Sequence, residues 1–245
     1  LFELIENVQH MRGWGRGFRK AVASWYNDKK PADVAYQVVK YRNRSGWTHL
    51  DVLRSAHIKP VQKETNAIFA YLKNGLYGDY VIGKKNPLEL IYKISGDNNP
   101  LDIVRAYELA GSSVNSATDI AMLILGHNLP WEALDTKWLN EPMVWNALLQ
   151  KMPLTAMIRN LGKMTSIGLV TPGSSAEMNI VEMLHDTNVL KKARIHPMNL
   201  LAALTVYNQG HGDRGSLIWT PSRDVVNALD NAIYLTMPNV EPTGK

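Results

Sequence analysis

Cysteine is absent from all 245 residues, which removes disulfide frameworks, thiol catalysis, iron–sulfur ligation and cysteine-bound zinc together and fits a reducing compartment. Long apolar runs are missing too. The longest, Ile120 to Leu125, has six residues, against about 20 needed to span a bilayer, so no membrane partner is expected. The chain opens on Leu1 rather than Met and lacks the basic-then-apolar run of a signal peptide, so it reads as a cytoplasmic segment of something longer. Signatures of catalysis and metal binding are equally scarce. The seven histidines are scattered, with no HExxH, no pair at i, i+4, and no D-x-S-x-S or G-x-S-x-G. Gly13-Trp14-Gly15-Arg16-Gly17 has the wrong spacing for a dinucleotide loop, and Leu161-Gly162-Lys163 lacks the rest of a P-loop. No carboxylate pair stands in a context suited to acid–base work. The expectation is a protein that is not an enzyme and holds no cofactor or metal.

What is present is an ordinary globular composition, 45% hydrophobic and 20% charged, too apolar for disorder and long enough for a real core. Charge is spread unevenly. Residues 1–60 hold 11 basic and 5 acidic residues, while the remaining 185 hold 16 and 17. Between Lys40 and Lys59 lie Lys40, Arg42, Arg44, Arg54 and Lys59 against the single acid Asp51, with His49, His57, Tyr41 and Trp47 among them. A positive field beside aromatic rings is the footprint of a surface for phosphate backbone and bases, and also of a merely solvated basic face. A weaker basic excess runs from Lys137 to Trp219.

The pattern reads as all-α, without sustained alternation or an Asn-Gly or Asp-Gly hairpin. Pro31 opens a helix that carries Lys40 and Arg44 near its end and stops at Ser45-Gly46. Thr48-x-x-Asp51 then matches a capping box, with Leu50, Leu53 and Ala56 at helical spacing up to Pro60. Further helices are expected over Thr65–Lys73, Pro87–Ile94, Pro100–Ala110, Asn115–Leu125 and Pro142–Lys151. Pro153 opens another, with Leu154, Met157, Ile158 and Leu161 on one face, followed by Ser175–His185, Pro197–Asn208 and Ser222–Thr236. Such helices joined by short Pro and Gly loops suggest antiparallel pairs stacked as a degenerate, HEAT-like α-solenoid.

Two constellations stand out. Lys40 and Arg44 at i, i+4 could grip successive phosphates, with His49, Arg54 and His57 following across a Gly turn. His57 follows Leu53 by one turn, and a base contact and a satisfied, partly buried ring are equally open for it. The second is His211-Gly212-Asp213-Arg214-Gly215, which suits an anion if its N–H groups and guanidinium converge, or is a simple turn.

Several longer blocks carry a family likeness. Gly13-Trp-Gly-Arg-Gly-Phe-Arg-Lys-Ala-Val22, Lys40-Tyr-Arg-Asn-Arg-Ser-Gly-Trp-Thr-His49 with Leu53-Arg-Ser-Ala-His-Ile-Lys-Pro60, Met152-Pro-Leu-Thr-Ala-Met-Ile-Arg-Asn-Leu-Gly-Lys-Met-Thr165, Ala193-Arg-Ile-His-Pro197 and Gly210-His-Gly-Asp-Arg-Gly215 resemble the TROVE module of telomerase, Ro and vault proteins. The likeness is nearest to the Ro branch. It implies a HEAT-like ring whose outer surface binds small noncoding Y RNAs and whose central hole takes single-stranded 3′ ends of misfolded RNAs, in RNA quality control. An exoribonuclease would be a partner through the bound RNA. Lys40, Arg44 and His57 match the family's Y-RNA contacts; Arg42, His49, Arg54 and Lys59 join them by position. Arg159, Lys163, Arg194, His196, His211 and Arg214 are candidates for the central hole. Residues 1–245 would be one TROVE helical-repeat domain, without the family's earlier helices or the von Willebrand A domain that holds its divalent metal. The competing readings are a solenoid scaffold for proteins, or a telomerase- or vault-associated relative with a different RNA.

Overall fold

The computed structural model describes residues 1–75, 99, 101–112, 116–212 and 216–240. Within them helix follows helix, and the only strands are a two-residue antiparallel pair. The helix expected over Pro87–Ile94 lies outside the described residues, as do Pro100 and Asn115, the expected starts of two others. The chain divides into two compact units, Leu1–Val114 with His127–Leu134, and Asn115–Gly126 with Asp135–Lys245.

In the first unit the order is α1 (Phe2–Arg12), α2 (Arg16–Asn27), α3 (Pro31–Lys40), β1 (Asn43–Arg44), β2 (Trp47–Thr48), α4 (His49–Ala56) and α5 (Lys63–Asn74), then a helix over Asp102–Ser112. α3 is its central element. Pro31 supplies a preset φ at the first turn, Asp33 and Lys40 complement the dipole at either end, and Val34, Ala35, Val38 and Val39 are buried. It packs on α5, on the Asp102–Ser112 helix and on the one-turn 3-10 helix Trp131–Ala133. Each of the three buried valines is worth about 1.5–3 kcal/mol.

Two expectations about this unit need correction. The helix from Pro31 ends at Lys40, not at Ser45-Gly46. Tyr41 leaves helical space (φ −122°, ψ 61°), and Ser45 (φ 53°) and Gly46 (φ 73°) are both left-handed, the requirement of a tight hairpin turn. Asn43 therefore pairs with Thr48 and Arg44 with Trp47. The buried face of α4 is also turned by one residue: His49, Val52 and Ala56 point inward, while Leu50 and Leu53 are only half-buried. The capping box itself is present, Thr48 N–H donating to Asp51 and Asp51 N–H to Thr48 Oγ1, both at 3.1 Å.

In the second unit the Arg223–Thr236 helix is the hub, packing on Ser175–His185, Thr187–Ala193 and Pro197–Gln209. Ser174, Asp186, His196 and Ser222 each cap the helix that follows with a side-chain acceptor. The Thr187–Ala193 helix was not anticipated; its sequence signal is Asp186, which accepts from the N–H groups of Asn188 and Val189. The single helix expected from Pro153 is two, Leu154–Arg159 and Leu161–Ser166. Asn160 (φ −104°, ψ 6°) breaks it, and its amide donates back to the Ala156 carbonyl at 2.8 Å. Trp145, Leu148, Met157, Leu161, Leu184 and Leu229 form the core. A buried polar chain crosses it: Thr165 Oγ1 lies 3.0 Å from the Tyr207 hydroxyl, which accepts from Ser222 N–H, and the Ser222 hydroxyl donates to the buried carboxylate of Glu177.

Candidate nucleic-acid interface

The hairpin turns a helix-end charge pair into something else. Because α3 stops at Lys40, Arg44 stands on β1 rather than one helical turn above Lys40. Lys40 is largely buried, its side chain 16% exposed, with Nζ 3.6 Å from Glu132 and facing the Tyr36 and Tyr41 rings at 5.7 and 5.4 Å. Burial pulls its pKa down, but Tyr36, Glu132 and Tyr41 outweigh that and leave it raised. Arg44 is exposed, donating to Glu3 at 2.7 Å while its guanidinium lies 5.4 Å from Tyr41. An ion pair this exposed contributes about 0–1 kcal/mol, so a phosphate can replace Glu3 at little cost. Lys40 is the less available of the two.

Arg42 is exposed and packs its guanidinium on Tyr107 at 4.7 Å. Arg54, His57 and Lys59 are exposed as well. His57 ends α4 in the left-handed conformation (φ 53°, ψ 46°), its N–H bonded to the Leu53 carbonyl, so the ring stands clear of the helix. Of the two options open for His57, the structure takes the solvent-facing one. The segment after it is pinned to the end of α2, where Asn27 donates to the Lys59 carbonyl and accepts from Val61 N–H. Asp51, the one acid between residues 40 and 59, is occupied in the cap.

His49 is buried rather than exposed beside these groups, and it lines the same cleft as Trp25, Lys29, Tyr41 and Arg44. Only 2% exposed, it accepts from the Tyr26 hydroxyl at Nδ1 (2.7 Å) and places Nε2 3.3 Å from the Gln37 carbonyl, the arrangement of a neutral ring protonated at Nε2. Burial lowers its pKa from the ordinary 6.5 to about 4. Its place is a consequence of the one-residue rotation of α4. Trp47, half-buried, packs on Trp14 with ring centres 5.6 Å apart.

The sequence reading named Tyr41 but passed over the pair of Lys29 and Trp25. Lys29 sits 4.7 Å above the Trp25 ring, a pairing available from the i, i+4 spacing, and Tyr41 lies between the cations of Lys40 and Arg44. Trp25, Lys29, Tyr41 and Arg44 line one cleft of about 380 Å³.

The weaker candidates separate. Arg159 is exposed, Lys163 half-buried with Nζ donating to Asn140 at 2.7 Å, and both line a concavity of about 540 Å³ in the second unit. Arg194 is an exposed left-handed helix end, and exposed His196 spends Nδ1 accepting from Met198 N–H. His211 is exposed, bonded through Nδ1 to the Gly212 carbonyl and bridged to Ile218. These three do not line that concavity. Arg214 lies outside the described residues, so convergence of the 211–215 loop on an anion stays an expectation. Among the described residues no group of three His, Asp or Glu side chains is assembled for a metal, and no helix is long and apolar enough to cross a membrane.

Short helices joined by brief turns, with a basic, aromatic-lined hairpin among them, define the all-α solenoid class. Residues 2–206 match the TROVE domain, running through both units, and the chain belongs to that family. It is 36% identical over 265 residues to the RNA-binding protein RO60 of Caenorhabditis elegans, covering 95% of this chain and 40% of that protein. Against the RNA-binding protein RO60 of Deinococcus radiodurans it is 34% identical over 243 residues, 99% of this chain and 42% of the relative. The crystal structure of the Deinococcus radiodurans RO (RSR) protein superposes with a TM-score of 0.73 at 34% identity, over 96% of this chain and 44% of that one. The all-α solenoid class is thereby established, and the relatives' names describe RNA binding rather than catalysis. The chain spans about two-fifths of the length of the curated relatives it matches.

Proposed function

We propose that this chain is an RNA-binding protein of the Ro type, with the hairpin and α4 as its surface for a small structured RNA of the Y kind. The observation that supports this best is an imbalance of charge: Arg42, Arg44, Arg54 and Lys59 stand exposed while the local acid, Asp51, is consumed in a helix cap. The guanidinium and ammonium groups neutralise phosphates and set register, and His57 offers ring N–H and N to a base edge or 2′-hydroxyl. Lys40 supports this surface indirectly, by holding Tyr41 and Glu132. Arg159 and Lys163 are the better supported pair for a single-stranded 3′ end, because they share one concavity. The wider setting, cytoplasmic quality control of misfolded RNA with an exoribonuclease reached through the bound strand, rests on the family resemblance, as does a divalent metal in a further domain.

The test is filter binding of a structured RNA with a single-stranded 3′ tail. Arg42→Ala/Arg54→Ala should weaken binding at least tenfold and make the salt slope shallower by about 1.4, at ~0.7 per lost phosphate contact. His57→Ser should weaken it several-fold without changing the slope. Binding indifferent to both variants places the RNA elsewhere. Tight association with an apolar peptide, insensitive to salt, would instead favour a protein scaffold.

A further inference from the structure

The concavity of the second unit has the make-up of a ligand pocket rather than of a packing defect. Its volume, about 540 Å³, falls in the range of sites that hold small molecules. Ile158, Val206 and Trp219 give it apolar walls, and the Trp219 ring is fixed from behind. It stacks on Tyr207 (6.2 Å between ring centres, 22° between planes), its Nε1–H donates to the Tyr207 carbonyl, and its far edge lies where a side chain on Gly162 would be. Glycine at 162 is what lets an aromatic ring form this wall.

The polar groups collect on other lining residues. Arg159 and Lys163 both line the pocket, and neither has a carboxylate within ion-pair distance among the described residues. Lys163 spends one of its three N–H donors on Asn140 and keeps two. Asn199, on the helix over Pro197–Gln209, adds an exposed carboxamide that can both donate and accept. An apolar-walled concavity, an exposed carboxamide among its lining residues and two cations without a carboxylate partner match the three parts of one nucleotide: ring face, ring edge and phosphate.

We propose that this pocket takes a single unstacked nucleobase, with its phosphate on Arg159 and Lys163 and its edge on Asn199. The proposal deepens the RNA-binding reading by assigning one extruded base of a single strand to a defined cavity, separate from the surface around the hairpin. It differs from a generic basic patch in needing the slot as well as the charges. A purine nucleoside monophosphate should therefore bind better than either of its halves.

The experiment uses the 245-residue chain with adenosine 5′-monophosphate, adenosine and inorganic phosphate as probes, followed by calorimetry or ligand-detected NMR. The monophosphate should bind at least tenfold more tightly than adenosine or phosphate. Ala203→Phe, which fills the slot, should abolish binding of monophosphate and adenosine. Arg159→Ala/Lys163→Ala should erase the advantage of monophosphate over adenosine and leave adenosine unchanged. If Ala203→Phe fails to fold by circular dichroism, Ala202→Phe at the exposed lip serves instead. Phosphate binding as tightly as the monophosphate, or monophosphate binding that survives the filled slot, overturns the proposal. No monophosphate binding, with a short amphipathic peptide captured in a slot-dependent way, overturns it in favour of a protein groove. Arg42→Ala/Arg54→Ala should leave monophosphate binding intact. Structured RNA that binds while monophosphate does not sinks this inference alone; the reverse sinks the hairpin reading alone.

Discussion

His49 uses both ring nitrogens inside the protein, one on Tyr26 and one facing the Gln37 carbonyl, with Phe2 edge-on at 4.8 Å. A ring held neutral this way makes stability depend on pH. Its folded pKa, about 4, lies below the ordinary 6.5, so the unfolded chain binds the proton more readily. The stabilisation is complete above pH 6.5 and is lost as pH falls towards 4, by up to roughly 3 kcal/mol at about 1.4 kcal/mol per unit. Urea unfolding midpoints should fall across that interval in the wild type, and less so in His49→Gln, which lacks the titrating group. A midpoint flat from pH 7 to pH 4 would rule out the buried neutral ring. In the second unit Gly162 faces a steric limit: a Cβ there would sit 2.7 Å from the Trp219 ring. Gly162→Ala should cost about 1–3 kcal/mol in thermal unfolding, as expected of overpacking at a fixed aromatic.

The hairpin is the element through which sequence and site diverge most. Gly46 sits at φ 73°, and a β-branched residue there would be strained by about 1–2 kcal/mol. Gly46→Val should lower the melting temperature and also weaken RNA binding, since Arg42 and Arg44 are set by the same turn; a change in melting alone would separate the turn from the interface. Much of the rest was legible. The caps at Thr48, Ser174 and Ser222 and the Pro-initiated starts at Pro31, Pro142 and Pro197 mark helix beginnings by local chemistry that needs no partner. The burial face of α4 was misread because a histidine scores as polar until Tyr26 and Gln37, 23 and 12 residues away, are known to receive it. The basic run from Lys40 to Lys59 was visible in composition, but Glu3, Glu132 and Tyr107, which decide which of its cations are available, come from distant segments.

At the scale of the whole molecule the first 60 residues carry a net charge of +6 and the other 185 a net charge of −1. RNA bound as proposed would be steered to that segment at low salt and released as salt rises. With about four phosphate contacts the slope of log K against log salt is near −3, so a rise from 50 to 200 mM should cost roughly 60-fold in affinity. Titrations of the same RNA at these two concentrations check this, and a loss below threefold would mean the contacts are not ionic.

The eight residues from Tyr41 to Thr48 form a spacer of fixed count between two helices. One residue more or less would break the Asn43–Thr48 and Arg44–Trp47 register and displace the Thr48 cap that opens α4. Composition here is held by the left-handed Ser45 and Gly46, by the packing of Trp47 on Trp14 and by the Thr48 cap, and length is held by the strand register. Insertions and deletions among related sequences should therefore be found on either side of this stretch and spare its interior.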